Sequence, residues 1–283
     1  MTPIDSSNPL AKHFRQPAMH IKLTSNGRFW PDEALELPAT GEIPILPMTA
    51  KDEIVLRTPD ALINGTSVVQ VLQSCCPSIK DAWKMPSVDV DSTLIAIRIA
   101  SYGPTMTITA KCPACKEEHD YDVDLHNSLA QIKMPNYDKT ITTEDGLIIA
   151  LKPLTYFQVS KAGNIAFEEE KLIQGLANPD VPDEVRKTEF EKHINKMVDL
   201  NNENLTNCTA SITADGNKVT DPKFIADYYK NSGSKVVRQV QALTKEFAAD
   251  VSLRDEEASC TSCQHKFKLA IEFDYSRFFD RGF

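Results

Sequence analysis

Between residues 48 and 102 apolar side chains recur every three or four positions, the spacing of one helix face. Thr49 reads as the cap of AKDEIVLR, with Asp52 and Glu53 in the first turn, where the helix dipole favours negative charge. A second helical stretch, PDALINGTSVVQVLQSCC, starts behind Thr58 with Pro59 at its first position, and Gly65 splits it in two. SVDVDSTLIAIRIASYG predicts a third helix, with Ile95, Ile99 and Tyr102 on one face and Gly103 as its stop.

Over residues 105–125 the period drops to two. TMTITA runs into Cys112 and HDYDVDL runs away from Cys115, which predicts a β-hairpin turned by Cys-x-x-Cys. GLIIALK, residues 146–152, predicts a strand closed by Pro153. Helical spacing returns in TYFQVSKAGNIAFEEEKLIQGL and DEVRKTEFEKHINKMVDL, the latter with a stripe of Phe190, Ile194, Met197 and Val198. TASITADGNKVT predicts a hairpin turned at Asp215-Gly216, and DPKFIADYYKN and SKVVRQVQALTKEF two further helices. From Ala249, DVSLRDEEASC leads into a second Cys-x-x-Cys and KFKLAIEF leads out of it.

The first 47 residues differ from all of this. They hold Pro3, Pro9, Pro17, Pro31, Pro38, Pro44 and Pro47 among scattered apolar positions, and read as an extended arm. Within it, MHIKLTSNGRFW predicts a strand, a turn at Asn26-Gly27 and a second strand. The arm is either a poorly ordered tail or a segment whose Phe14, Phe29 and Trp30 anchor it on a neighbouring subunit.

Composition narrows the class. A chain of 283 residues, 41% hydrophobic and 25% charged, is long enough for a core that needs no covalent staples. Its net charge of -9 argues against a general nucleic-acid binder, which would be basic. The N-terminal MTPIDSSNPLAKHFRQ lacks the apolar run of a signal peptide, and LIAIRIA is too short to span a bilayer. The expectation is a chain made in a reducing compartment, where cysteines serve as metal ligands or core residues rather than disulfides.

The seven cysteines then become informative. Cys112 with Cys115 and Cys260 with Cys263 form two Cys-x-x-Cys pairs, each between strand-like segments, with 144 residues between Cys115 and Cys260. One such turn supplies two thiolates, and a closed tetrahedral site needs two turns. The expectation is one structural zinc on Cys112, Cys115, Cys260 and Cys263, with an iron–sulfur centre as the alternative. A redox pair would use one motif at a helix start, whereas both motifs here follow strands; the remaining alternative is unconnected buried cysteines. His119 and His265 follow the two motifs and are the residues that could replace a cysteine ligand. Cys75, Cys76 and Cys208 read as core residues.

These readings assemble into an α+β plan: mostly helical domains around a small β zinc-ribbon formed by two distant Cys-x-x-Cys hairpins, with an extended N-terminal arm. The expected divisions are the arm at 1–47, a helical domain at 48–104, the ribbon module at 105–125 plus 249–275, an inserted and mainly helical domain at 126–248, and a tail at 276–283. Catalysis is not expected. The chain has no Gly-x-Gly-x-x-Gly, no phosphate-binding Gly-Lys-Ser/Thr loop, no His-Glu-x-x-His and no Gly-x-Ser-x-Gly. Asp89 and Asp91, the alternating Asp120, Asp122 and Asp124, and the acidic run after Phe167 read as solvated edges, helix caps or helix faces.

Particular phrases carry a family resemblance. They are Pro47 to Glu53 (PMTAKDE), Thr58 to Leu62 (TPDAL), the Asn64-Gly65 step, the Tyr102-Gly103 end, and NPLAKHFRQPAMHIKLTSNGRFWP near the N-terminus. DPKFIADYYKNS matches more loosely, and the specific part spans about residues 8–125. The chain thereby resembles the baseplate hub subunits, or hub assembly proteins, of T-even-like contractile-tailed bacteriophages. The resemblance implies a virion protein of the tail baseplate, synthesised in the host cytoplasm. It implies partners among other baseplate and tail-hub proteins or copies of itself, with no nucleic acid, membrane insertion or small-molecule substrate. It leaves open a transient assembly chaperone absent from the mature virion; a zinc-ribbon nucleic-acid-binding regulator is the third class.

Overall fold

The computed structural model describes residues 8–58, 65–176, 178 and 181–271, so the helix start expected at Pro59 and the tail at 276–283 lie outside the described residues. The protein mixes helices with small antiparallel sheets and divides into two compact units, residues 1–134 with 250–283 and residues 135–249. None of the described helices is long and apolar enough to cross a membrane.

In the first unit, strands β1 (Met19–Ile21) and β2 (Ile43–Ile45) pair antiparallel, and helices α1 (Ala50–Leu56), α2 (Thr66–Cys75), α3 (Ser87–Tyr102) and α4 (Leu125–Gln131) follow. The cap at Thr49 forms a full capping box: the Asp52 amide donates to Thr49 Oγ1 at 3.3 Å and the Thr49 amide to Asp52 Oδ2 at 2.8 Å. Gly65 enters α2 at φ +77, a conformation that a side chain would strain. α3 is the central element. Leu94, Ile95, Ala96 and Ile97 are consecutive and all wholly buried, so the helix is covered on every side rather than along one stripe. Each of its large aliphatic side chains contributes about 2 kcal/mol through burial.

The N-terminal segment packs against these same helices instead of reaching out as an arm. Ile21, Leu23, Ala34, Ile43, Ile45 and Leu46 are buried in its own unit. Arg15 clasps it down: its guanidinium donates to Pro47 O (2.7 Å), Ser74 O (2.8 Å), Ser74 Oγ (2.9 Å) and Asp52 Oδ2 (3.3 Å). The turn at Asn26-Gly27 is present, with φ of 52 and 81. The strand expected after it is not, because β1 takes β2 as its partner. The reason is a buried carboxylate. Asp89 of α3 accepts from the Ser25 amide (2.6 Å), Ser25 Oγ (2.6 Å) and Trp30 Nε1 (2.7 Å), which draws residues 25–30 onto the helix.

The second unit carries a four-stranded antiparallel sheet of β5 (Thr140–Thr142), β6 (Ile148–Leu151), β7 (Thr209–Ala214) and β8 (Asn217–Val219), in that spatial order. Between the paired strands β6 and β7 run two long helices, α5 (Tyr156–Leu176) and α6 (Asp183–Cys208). Helices α7 (Pro222–Asn231) and α8 (Ser234–Val251) close the sequence of elements, with Ile149, Leu151, Ile212, Ile225, Tyr229, Val240, Leu243 and Phe247 in one core. α6 runs past the expected end at residue 200 through the helix-poor NNENLTNC, because Leu205 and Cys208 are buried there. The acidic run of α5 is not wholly solvated: Glu169 is buried, 2.7 Å from His193 Nδ1 and 2.6 Å from Lys196 Nζ.

Candidate metal centre

The two Cys-x-x-Cys motifs close two hairpins of the first unit. β3 (Thr105–Lys111) pairs with β4 (Glu118–Asp124) from Thr105 opposite Asp124 to Lys111 opposite Glu118. β9 (Glu256–Ser259) pairs with β10 (Lys266–Leu269), ending with Ser259 opposite Lys266. The loops left over, 112–117 and 260–265, repeat one design. Cys112 N donates to Glu117 O and Cys260 N to His265 O, both at 2.9 Å. Lys116 N donates back to Cys112 O and Gln264 N to Cys260 O, again at 2.9 Å. The residue after the second cysteine is left-handed in each, Lys116 at φ 65 and Gln264 at φ 58. Two loops of the same length and the same hydrogen bonds thus present their sulfurs in the same way.

The loops meet through those sulfurs. Cys112 Sγ lies 3.7 Å from Cys263 Sγ and Cys115 Sγ 3.6 Å from Cys260 Sγ, and all four lie within 4.8 Å of one another. Those spacings are far beyond a disulfide bond of about 2.05 Å. The 3.6 and 3.7 Å spacings match the edge of a tetrahedron of sulfurs about 2.3 Å from a central ion, which is about 3.8 Å. The first cysteine of each pair is buried and the second faces solvent. The chain leaves for its second unit after residue 134 and returns at residue 250, and Lys133 N donates to Asp250 O at 3.0 Å where it does so.

The electrostatics are those of a site that wants a cation. The amides of Cys115 and Ala114 hold the Cys112 thiol down to about 6. The Glu117 amide favours the Cys115 thiolate, yet desolvation and the neighbouring sulfurs of Cys260, Cys112 and Cys263 push that thiol up to about 12. Cys263 is raised likewise: the His265 amide is outweighed by desolvation and the sulfurs of Cys260 and Cys112. Cys112 ionises readily while Cys115 and Cys263 resist; a bound divalent ion removes that conflict. The four residues could therefore hold a metal ion.

Among the described residues this ligand set is made of cysteines alone, and neither histidine enters it. His119 turns to Thr261 and Ser262 of the other loop, while His265 is exposed. Tyr121 meets Phe267 edge to face at 5.6 Å, and its hydroxyl is pushed up by desolvation and then by the four sulfurs. Cys75, Cys76 and Cys208 are buried elsewhere, with burial raising each thiol, Cys75 to about 12. Of the carboxylates, Asp120 and Asp122 accept from Thr109 and Thr107 across the hairpin at 2.7 Å, and Asp124 caps α4. Asp89 is the exception to the solvated reading. It lies between Val88 and Val90 in a helix buried all round, and that setting is the signal for a buried role.

No curated protein and no solved structure matches the chain. The family described as T4 bacteriophage base plate protein matches residues 31–280, a span that takes in the later part of the N-terminal layer, both cysteine hairpins and all of the second unit. A match over so much of the chain makes this protein a member of the T4 bacteriophage base plate protein family.

Proposed function

We propose that the protein is a structural subunit of a contractile phage tail baseplate, in the hub region, and acts by protein–protein contacts rather than by chemistry of its own. The observation that carries this reading is the family match over residues 31–280. The architecture supports it. The four-cysteine centre has no open position if it holds one ion, so it serves as a staple and not as a Lewis acid. Phe190, Ile194 and Val198 stand exposed along α6, an apolar stripe of the kind that marks contact surfaces.

The ion proposed is zinc, for which four thiolates in a tetrahedron are the best-suited donors. In an iron–sulfur cluster the terminal thiolates are spread over more than one iron, and those on different irons stand farther apart than ligands of a single ion, so four sulfurs all within 4.8 Å of one another favour the single ion. The two hairpins then form one zinc-ribbon-like module.

Quantitative mass spectrometry and reconstruction of purified tails test the reading. A fixed copy number in the particle, with density next to the tail tube, is expected. A chain absent from mature particles would instead be an assembly chaperone, and a position at the baseplate rim would overturn the hub assignment. Salt-sensitive binding to DNA at physiological ionic strength would favour the regulator class over both.

A further inference from the structure

The two metal loops differ in what stiffens them. In the first, the residues between the cysteines are Pro113 and Ala114; in the second they are Thr261 and Ser262. Proline locks its own φ and restrains the residue before it, here Cys112. The second loop has no such internal brace, and its two hydroxyls are instead taken by one side chain from the opposite hairpin. His119 of β4 places Nδ1 3.1 Å from Thr261 Oγ1 and Nε2 3.1 Å from Ser262 Oγ. A neutral imidazole donates from one nitrogen and accepts at the other, and each hydroxyl can take the complementary part.

The register makes the arrangement one-sided. Because Glu117 and His265 occupy the same place in the two loops, the counterpart of His119 is Phe267. That residue packs its ring on Tyr121, 5.6 Å away, and makes no polar bridge to the Pro113 loop. Glu117 Oε2 stands 3.6 Å from His119 Nε2, on the first loop's side. His119 therefore joins the loops by a route that does not pass through the sulfurs.

We infer that His119 is a positioning residue for metal capture: it clamps the Thr261–Ser262 loop so that Cys260 and Cys263 face Cys112 and Cys115 before an ion arrives, replacing the brace that Pro113 gives the first loop. The inference rests on the four-thiolate reading of the site. Groups that orient metal ligands from outside the coordination sphere change affinity by roughly 10- to 100-fold when removed.

The test uses the full chain loaded with zinc, and reads the rate of transfer to an excess of a chromophoric chelator together with the competition Kd. His119→Phe keeps a ring against Tyr121 and removes both nitrogens; Thr261→Ala with Ser262→Ala removes the hydroxyls and leaves His119. Each should release zinc about 10-fold faster or more, and all three changes together should release it no faster than either set. Adding Thr261→Pro to His119→Phe should slow release again, because it gives the second loop the brace of the first. Release as slow in His119→Phe as in the parent, additive effects of the two sets, or no slowing by Thr261→Pro would each overturn the clamp. Parent protein that takes up no zinc would overturn the four-thiolate reading itself.

Discussion

Asp89 ties the N-terminal layer to the central helix, and its titration offers a sharp test of that architecture. The carboxylate is wholly buried and accepts three short hydrogen bonds, from the Ser25 amide, Ser25 Oγ and Trp30 Nε1. Desolvation disfavours its charged form and outweighs those bonds, pushing the carboxyl from 3.8 to about 6. Between those two values the folded protein holds a proton that the unfolded chain has released, so stability falls as pH rises through the window. At about 1.36 kcal/mol for each tenfold step in proton affinity, the loss is roughly 3 kcal/mol. The perturbation is Asp89→Asn, which cannot titrate, and the assay is urea unfolding from pH 3.5 to 7.5. The chain's two tryptophans, Trp30 and Trp83, both lie in the first unit, so their fluorescence follows that unit. Protonation of the cysteine centre affects both chains alike and cancels in the difference. The stability of the parent minus that of Asp89→Asn should fall by roughly 3 kcal/mol across the window. A flat difference would mean that Asp89 is not desolvated as described, and a rising one would mean that the three donors outweigh desolvation. Trp30→Phe removes one donor to the charged form and should move the upper edge of the window to higher pH.

Elemental analysis of the purified chain should find about one zinc per molecule, and Cys112→Ser or Cys260→Ser should release it and lower the melting temperature; a Cys260→Ser chain that keeps its metal would break the single-site reading. Arg15→Ala removes the guanidinium that donates to Pro47 O and Ser74 O and pairs with Asp52, and should cost about 2–3 kcal/mol in denaturant unfolding; a loss below about 0.5 kcal/mol would mean the clasp is ornamental. Lys116→Gly or Gln264→Gly relieves a left-handed residue and should leave stability unchanged or raise it by up to about 1 kcal/mol, whereas valine at either position should destabilise and weaken metal retention. Glu169→Gln weakens the buried contacts with His193 and Lys196 and should speed amide exchange in α5 and α6 before it affects the sheet.

How much of this could be read from the chain follows from the sequence distance each feature spans. The capping box at Thr49 needs four consecutive residues, and each metal loop needs six, so both are visible as local patterns. Residues 19–21 pair with 43–45, and the segment between them is held by Asp89, which lies 64 positions beyond the Ser25 that it bonds. No window on residues 19–30 contains that information, and the local pattern points to a hairpin instead. α4 is hard to read from the chain because its seven residues directly follow a strand and carry little helical periodicity; its cue is Asp124, which accepts from the His126 amide.

The limit is sharpest where function is concerned. Ile225 and Tyr229 lie four apart on α7, and Phe190, Ile194 and Val198 lie four apart on α6, so the two patterns are equivalent as sequence. In the structure the first pair is buried in the core at 2% and 3% exposure, while the second set stands 46–52% exposed. Periodicity tells that a helix has an apolar face and not what covers it. α6 has 26 residues and buries only Leu200, Leu205 and Cys208, all toward its C-terminal end, while its N-terminal half contributes only half-buried contacts. A helix of that length is held by packing far more than by propensity. Under the function proposed above, such a surplus of apolar helix is where partner binding would draw on the same residues as folding. The four-cysteine cluster is therefore legible from sequence, and the proposed contact surface is not.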